Sequence, residues 1–284
     1  MKAEKNSLFK EFAARMLKSW SSRLGIILLG VIILACLIGP LLSPYDVNTG
    51  DLMLICAHPS AEHLLGCDTL GRDMLTRMLY GGRYSLLMGL TAAIVGEILG
   101  VAIGLIAGYF GGITETIIMR FLDVWSALPG MLLCILISAA MGSGFFSTVI
   151  ALTVGGIPGT VRMTRGQVLS ERGREYIEAA ESINCSKATI MFKHLLPNVV
   201  QPTIVITTMS IGSTINMAAS LSFIGLGIQP PTPEWGAMLA DGRAYILADP
   251  HLIAVPGFAI ALTVLAINLV GDGLRDALDP KMRS

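Results

Sequence analysis

The sequence predicts an all-α protein that crosses a membrane six times. Only 14% of its 284 residues are charged, whereas charged residues make up about a quarter of a typical soluble domain. Its mean hydropathy is +0.69. Uncharged runs of about 20 residues, long enough to cross a bilayer as helices, recur along the chain. These observations favour a polytopic helical bundle over one large soluble core.

Six apolar runs are predicted to span the membrane. The first, Leu24–Leu42, is too long for a signal-peptide core and lacks a small-residue cleavage site, so we expect it to be retained. Pro129 and Pro158 fall inside two later runs, where proline predicts a kink or a break. The other five predicted spans are Tyr84–Phe110, Phe121–Met141, Phe145–Val161, Val199–Ile228 and Leu252–Val270.

The chain is predicted to divide at about residue 80. Residues 1–80 would hold a basic amphipathic helix on the membrane surface (residues 6–20), the first span and an outer loop. Residues 81–284 would form a core of five helices, with a charged loop at about residues 162–198.

The lysines and arginines predict which side of the membrane each loop faces. Six spans put both termini on one side, and sixteen of the twenty basic residues fall on that side. Only Arg72, Arg77, Arg83 and Arg243 fall on the other side. By the positive-inside rule, both termini and the charged loop are cytoplasmic. The net charge is zero, so no nucleic-acid partner is expected.

Catalytic motifs are missing from the sequence. It contains no G-x-S-x-G, H-E-x-x-H or C-x-x-C pattern, and no lysine follows a glycine, which excludes a Walker A motif. We therefore predict no catalytic residue and no cofactor, so any nucleotide would be hydrolysed by another chain. Cys56 and Cys67 share the outer loop with His58 and His63, but their spacing matches no strong zinc pattern. No metal site is predicted, and free thiols are favoured over a disulfide.

Residues 174–198, hereafter the elbow, form a charged amphipathic segment between apolar runs. Asn184 is predicted to reverse the chain, because asparagine tolerates the left-handed conformation that ends many helices. A second short helix, Lys187–His194, would follow, and Pro197 would interrupt it. One apolar stripe is expected on the first helix: Tyr176, Ile177, Ala180 and Ile183. The alternatives are a solvated loop or a helix resting on lipid headgroups.

Two polar residues inside predicted spans are candidates for the translocation pathway. Glu97 lies near mid-membrane, where a charge requires a partner or a watery route, so it would line the pathway or make an interhelical contact. Asn216 is expected to be buried, with an interhelical hydrogen bond favoured over contact with solute. Beside Glu97, glycines recur every fourth residue, a spacing that predicts close helix packing in either a static or a sliding seam: Gly96, Gly100, Gly104 and Gly108.

The elbow resembles the EAA loop of ABC importer permeases. Five residues match the motif at the family's spacing: Glu178, Ala179, Ala180, Leu196 and Pro197. Asn184 stands where the family has glycine, and His194 where it has isoleucine. The resemblance implies that Tyr176 and Asn184, together with the five matching residues, form a contact that couples the chain to an ATPase.

Three further segments resemble the dipeptide, oligopeptide and nickel branch of these permeases: His63–Leu86, Leu221–Arg243 and Asn268–Pro280. The chain thus resembles the "C"-type permease of a peptide or nickel ABC importer in a bacterial inner membrane, and a type I importer (MetI-like) fold follows. The resemblance also implies a face for docking a binding protein, with these candidates: Asp68, Arg72, Asp73, Pro231, Glu234 and Trp235.

The same resemblance implies a function and a set of partners. The chain would form half of a pore for di- or oligopeptides, working by alternating access. Its partners would be a second permease subunit in a heterodimer, one or two ATPase subunits, an extracytoplasmic solute-binding protein and membrane lipid. A nickel or metal-chelate importer is one alternative. A self-sufficient channel or ion-coupled carrier, with Glu97 as its ion site, is the alternative of another class.

Overall fold

Long apolar helices form the protein. The computed structural model describes residues 16, 17 and 19–278, and no strand occurs among them. The predicted surface helix at residues 6–20 lies almost wholly outside the described residues. The helices are α1 (Trp20–Leu42), α2 (Met74–Phe110), α3 (Gly112–Trp125), α4 (Gly130–Met141), α5 (Phe145–Arg172), α6 (Glu175–Ser182), α7 (Leu196–Phe223), α8 (Trp235–Gly242) and α9 (His251–Leu278). Shorter helical turns are Leu52–Leu54, Lys187–Thr189, Ile190–Leu195 and Arg243–Tyr245.

The helices α1, α2, α5, α7 and α9 are each long and apolar enough to cross a membrane. The helices α3 and α4 together make a sixth apolar segment, bent by 81° at the break between them. The all-α polytopic fold is therefore confirmed. The span predicted at Phe121–Met141, with a kink or break at Pro129, corresponds to this bent segment, which begins earlier, at Gly112. Pro129 stands at the start of α4 and breaks the segment as predicted, whereas α5 runs through Pro158 without a break.

Several helices extend beyond the predicted spans. The helix α2 begins at Met74 rather than Tyr84, because the carboxylate of Asp73 accepts a hydrogen bond from the Thr76 N–H and caps the helix. The helices α5 and α9 continue to Arg172 and Leu278. Hydropathy marks only the apolar part of such helices, so their polar ends were missed. The predicted division at residue 80 falls inside α2.

The helix α2 lies at the centre of the bundle and packs against α5 through the predicted glycine ladder. A Cβ added at Gly100 would lie 2.5 Å from the Thr160 Cβ, and one at Gly104 would lie 2.6 Å from the Thr164 Cβ. Only glycine permits this approach, so the prediction of close packing is confirmed. The helix α1 packs similarly on α9, where a Cβ at Gly25 would lie 2.7 Å from the Leu269 Cβ.

Candidate functional site

The elbow turns at Asn184, directly after α6. Asn184 has φ +58°, so the predicted left-handed conformation is confirmed. The N–H of Cys185 donates to the Ala180 carbonyl at 3.0 Å, and the N–H of Asn184 donates to the Glu181 carbonyl at 2.9 Å. These two bonds form a Schellman motif, which closes the helix and fixes the direction of the following chain.

One face of the elbow is buried against the membrane helices. Ile177, Ile190 and Leu195 are each at most 1% exposed, and they pack with Leu105 of α2 and Val168 of α5 in one apolar cluster. Burying a side chain of this size contributes about 1.5–3 kcal/mol. The elbow is therefore packed against two long helices and is not a free, solvated loop.

The chain does not break at Pro197, contrary to prediction. Lys187–Thr189 leads into π-helical turns at Ile190–Leu195, and α7 follows at once with Pro197 in its first turn. Proline removes one N–H and its ring crowds the carbonyl four residues earlier. The N–H of Leu196 donates to Met191, five residues back, and this wider turn accommodates the proline. The second half of the elbow is thus continuous with α7.

The opposite face of α6 is exposed and acidic. Glu178 and Ala179 are exposed, and Ile183 is 76% exposed. The predicted apolar stripe is therefore only half right, because Ile183 and part of Tyr176 face outward. Ala180 is buried in the elbow's own core, so of the two adjacent alanines only Ala179 is open to another protein.

Tyr176 connects three helices at the elbow. Its hydroxyl donates to the Glu171 carboxylate at the end of α5, at 2.7 Å, and accepts from the Asn198 amide in α7, at 3.0 Å. Partial burial raises the pKa of Tyr176, and the adjacent Glu171 carboxylate raises it further. The hydroxyl therefore stays protonated and can serve as the donor.

Asn216 lines a cavity of about 940 Å³ between α7 and α9. Its side chain is exposed to this space, so the expected burial is wrong. The other polar residues lining the cavity are uncharged: Ser213, Ser220 and Asn268. A cavity with hydroxyl and amide groups on apolar walls suits a small polar solute.

Glu97 lies elsewhere, between α2 and α5. The Thr160 hydroxyl donates to its Oε2 at 3.2 Å, and Thr203 and Thr207 of α7 line the groove beside it. The structure does not bring Glu97 into the cavity that Asn216 lines. Of the two roles left open for Glu97, this geometry matches the interhelical polar contact.

The outer loop is built on a buried ion cluster. The Asp68 carboxylate lies 2.7 Å from Nε of Arg72 and 3.1 Å from Nε of Arg77. Asp73 caps α2 and also contacts the His63 ring at 2.9 Å. Because Asp68, Arg72 and Asp73 are buried, they hold the loop's shape and are not available for direct contact with a docked protein.

Glu234 and Trp235 are buried as well, and they join the later outer segment to α2. Glu234 is fully buried, accepts from the Ser85 hydroxyl at 2.7 Å, and caps α8 through the Gly236 N–H. The Trp235 indole donates to the Met78 carbonyl at 2.9 Å. Among the docking candidates, only Pro231 is exposed. Sequence reasoning missed Ser85, because a single serine in an apolar run carries no distinguishing signal.

The five cysteines all lie in the part of the chain that the structure describes, and each is a free thiol. Burial raises the pKa of the Cys67 thiol, and the carboxylates of Asp73 and Asp68 raise it further. Cys67 is therefore a poor nucleophile, in keeping with the preference for free thiols over a disulfide.

The sequence matches two protein families. Residues 100–284 match the family described as "Binding-protein-dependent transport system inner membrane component", and residues 7–59 match "N-terminal TM domain of oligopeptide transport permease C". The glutathione transport system permease protein GsiD of Pectobacterium atrosepticum is 48% identical over 244 residues, covering 86% of this chain and 81% of that protein. The di/tripeptide transport system permease protein DppC of Pseudomonas aeruginosa is 42% identical over 284 residues, covering 98% and 94%.

The fold also has a solved counterpart. A chain of the MetNI methionine ABC transporter in an inward-facing conformation superposes with a TM-score of 0.59 at 18% identity, covering 72% of this chain and 98% of that one. This likeness confirms the MetI-like fold. With the match over residues 100–284 and the two relatives, it leads to one conclusion: the chain is a multi-pass inner-membrane protein and belongs to the inner-membrane components of binding-protein-dependent transport systems, as a C-type permease subunit of an ABC importer.

Proposed function

We propose that this chain forms half of the translocation pore of a peptide importer, and that the exposed face of the elbow receives an ATPase subunit. The observation that carries the proposal is the two-sided construction of the elbow. Ile177, Ala180 and Leu195 are buried against α2 and α5, while Glu178 and Ala179 are exposed on the other side. A displacement applied to the exposed face would thus be passed to the membrane helices.

The coupling role is tested by reversing one charge on that face. Glu178→Arg should abolish association with the ATPase, because it reverses a charge on the face that would contact that subunit. Since Glu178 is exposed, its replacement should leave the elbow's core intact. Glu62→Arg, the same change at an exposed position of the outer loop, is the matched control. The measurement is co-purification of the ATPase with the detergent-extracted permease. An intact complex at wild-type yield from Glu178→Arg would overturn the role.

Small peptides are the proposed cargo. Relatives named as permeases for glutathione and for di- and tripeptides support this choice, as do the uncharged polar groups around Asn216, which suit peptide amides. A second, different permease subunit would close the open side of the cavity. Titrating the cognate binding protein with dipeptides, glutathione and a nickel chelate measures cargo directly. Preference for the chelate would refute a peptide importer while leaving the elbow's role untouched.

The remaining parts of the proposal concern orientation and catalysis. Both termini would be cytoplasmic. The outer loop, shaped by Asp68, and the later outer segment, held by Glu234, would face the solute-binding protein. The chain itself would be non-catalytic and depend on separate ATPases for energy. Solute exchange by the purified chain alone in vesicles should therefore be absent. Exchange at a rate comparable to the full assembly would instead support a self-sufficient carrier.

A further inference from the structure

Three potential metal ligands converge where the outer loop meets the start of the last span. His58 comes from the outer loop, Asp249 precedes α9, and His251 is the first residue of α9. One ligand atom from each residue lies within 4.8 Å of the other two. This group differs from the Cys56, Cys67, His58 and His63 set that the sequence placed together, and it joins residues almost 200 positions apart in the chain.

The distances are close to those that an ion requires. The His58 Nε2 lies 3.7 Å from an Asp249 carboxylate oxygen, and the two imidazole rings are centred 5.3 Å apart. Ligands on a tetrahedral zinc, with bonds of about 2.0–2.2 Å, are about 3.3–3.6 Å from one another. The His58 side chain is 73% exposed, so rotation about its side-chain bonds can close the remaining gap.

His251 supplies an independent observation. Both of its ring nitrogens are buried, and neither has a hydrogen-bond partner within the described part of the chain. Buried polar atoms are nearly always satisfied, so an unsatisfied pair calls for an explanation such as an absent ion. The site is also crowded on its far side, because a Cβ at Gly66 would lie 3.0 Å from the His251 Nε2.

The loop that carries His58 is held in place by the backbone. The N–H of Cys67 donates to the Ala57 carbonyl at 2.9 Å, and the N–H of Cys56 donates to the Asp68 carbonyl at 3.0 Å. Both bonds are made by the two residues directly before His58, and they hold this part of the loop against Cys67 and Asp68. A backbone held in place before binding lowers the entropy cost of capturing an ion, since only the exposed His58 side chain has to be ordered.

We propose that His58, Asp249 and His251 bind a divalent first-row transition metal ion, with zinc as the reference case. Two imidazoles and one carboxylate form a recurrent three-ligand set for Zn²⁺, and imidazole nitrogens disfavour Mg²⁺ and Ca²⁺. The fourth position faces solvent beside His58 and would hold water. The ion would clamp the outer loop to the last span, whichever solute the importer carries.

The test is a Zn²⁺ titration. The sample is the full-length chain without an affinity tag, extracted in detergent together with its partner subunits and treated with a chelator to remove bound metal. Calorimetry should show one Zn²⁺ site in wild type that is lost in His58→Ala, or that binds Zn²⁺ at least about tenfold more weakly in this variant. Even residues that only hydrogen-bond to the ligands change metal affinity by about 10- to 100-fold. His194→Ala, which removes a histidine from the elbow, is the matched control and should bind as wild type does. Comparing variants cancels any zinc bound by partner chains.

Two further variants guard against a folding artefact. Asp249→Asn and His251→Ala should cause the same loss, and Co²⁺ should give a visible absorption band that His58→Ala abolishes. Because His58 is exposed, a decrease in that variant reports on the ion and not on folding. Equal Zn²⁺ binding by wild type and His58→Ala would overturn the proposal. The absence of any site that depends on these three residues would overturn it as well, and would leave only the contact between His58 and Asp249.

Discussion

The side-chain amide of Asn198 donates a hydrogen bond to the hydroxyl of Tyr176 across 3.0 Å. Because the same hydroxyl donates to Glu171, this bond ties the elbow to α7 on one side and to α5 on the other. The two membrane helices that flank the elbow are therefore linked through one phenol. A displacement of α6 would therefore be passed to both helices through directional hydrogen bonds as well as through apolar packing.

Removing the Tyr176 hydroxyl should weaken the coupling between ATP hydrolysis and transport more than it lowers the stability of the protein. Tyr176→Phe keeps the ring and loses two hydrogen bonds, each contributing about 0.5–1.5 kcal/mol. We expect the ATPase to remain bound and the ATP hydrolysed per solute transported to rise, because α5 and α7 follow the elbow less closely. Tyr45→Phe is the matched control, since it removes a hydroxyl bonded to the Glu62 carbonyl on the outer loop. An unchanged ratio in Tyr176→Phe would contradict this role.

Glycine should be tolerated at position 184, whereas alanine should destabilise the turn. The φ of Asn184, +58°, lies in the left-handed region, which costs an ordinary L-residue about 1–2 kcal/mol. Asn184→Gly should therefore leave the thermal unfolding midpoint of the extracted complex unchanged or raise it, and Asn184→Ala should lower it. Equal midpoints for the alanine and glycine variants would show that the turn relaxes without the left-handed conformation.

Removing the Asp68 carboxylate, which Arg72 and Arg77 share, should disrupt the ion cluster of the outer loop. Asp68→Asn leaves the buried guanidinium groups of Arg72 and Arg77 without their anion. Breaking one side of a buried pair costs about 3–5 kcal/mol. The outer loop should become sensitive to protease added from outside.

A matched substitution at an exposed turn separates this effect from a general loss of charge. Asp46→Asn, on the same loop, should leave protease resistance nearly intact, because Asp46 is exposed and asparagine can accept the same backbone hydrogen bonds. Protection of the Asp68→Asn loop equal to that of wild type would mean that the two arginines find other partners.

Sequence reasoning succeeded where the signal was local. The apolar runs, the left-handed Asn184 and the glycine ladder each follow from hydrophobic length, backbone preference or side-chain size over a few residues. It failed where burial depends on distant pairing. Glu234 is polar and follows three nearby prolines, which is typical of a surface loop, yet Ser85, 149 positions away, satisfies its carboxylate in the interior. Only the folded arrangement of α2 and α8 shows this.

Proline positions show the same limit. Pro129 breaks its helix and Pro158 does not, although both stand in apolar runs. The sequence around Pro129 adds Ser126 at the end of α3 and Gly130 at the start of α4, so the break has turn-forming residues on both sides. Pro158 is buried inside α5, which packs along α2, and tertiary contacts hold that helix together.

The glycine ladder permits a test with its control on the same helix. Gly104→Ala would place a Cβ 2.6 Å from the Thr164 Cβ and 2.8 Å from the Val161 carbonyl oxygen, so α2 and α5 must separate. Overpacking of this kind costs about 1–3 kcal/mol. At Gly96 the nearest atom to an added Cβ is the Thr153 carbonyl oxygen at 3.5 Å, an ordinary contact. Gly96→Ala should be neutral or stabilising, because alanine favours a helix by about 1 kcal/mol over glycine.

Measuring both stability and transport in this pair decides between the two roles left open for the ladder. If the seam is static, Gly104→Ala should lower the unfolding midpoint and reduce transport only in proportion to the folded protein that remains. If the seam slides, transport per folded complex should fall in Gly104→Ala, because the added methyl group meets Thr164 throughout the motion. Gly96→Ala should preserve transport per complex in either case. Equal effects of the two alanines on the unfolding midpoint would contradict the packing described for α2 and α5.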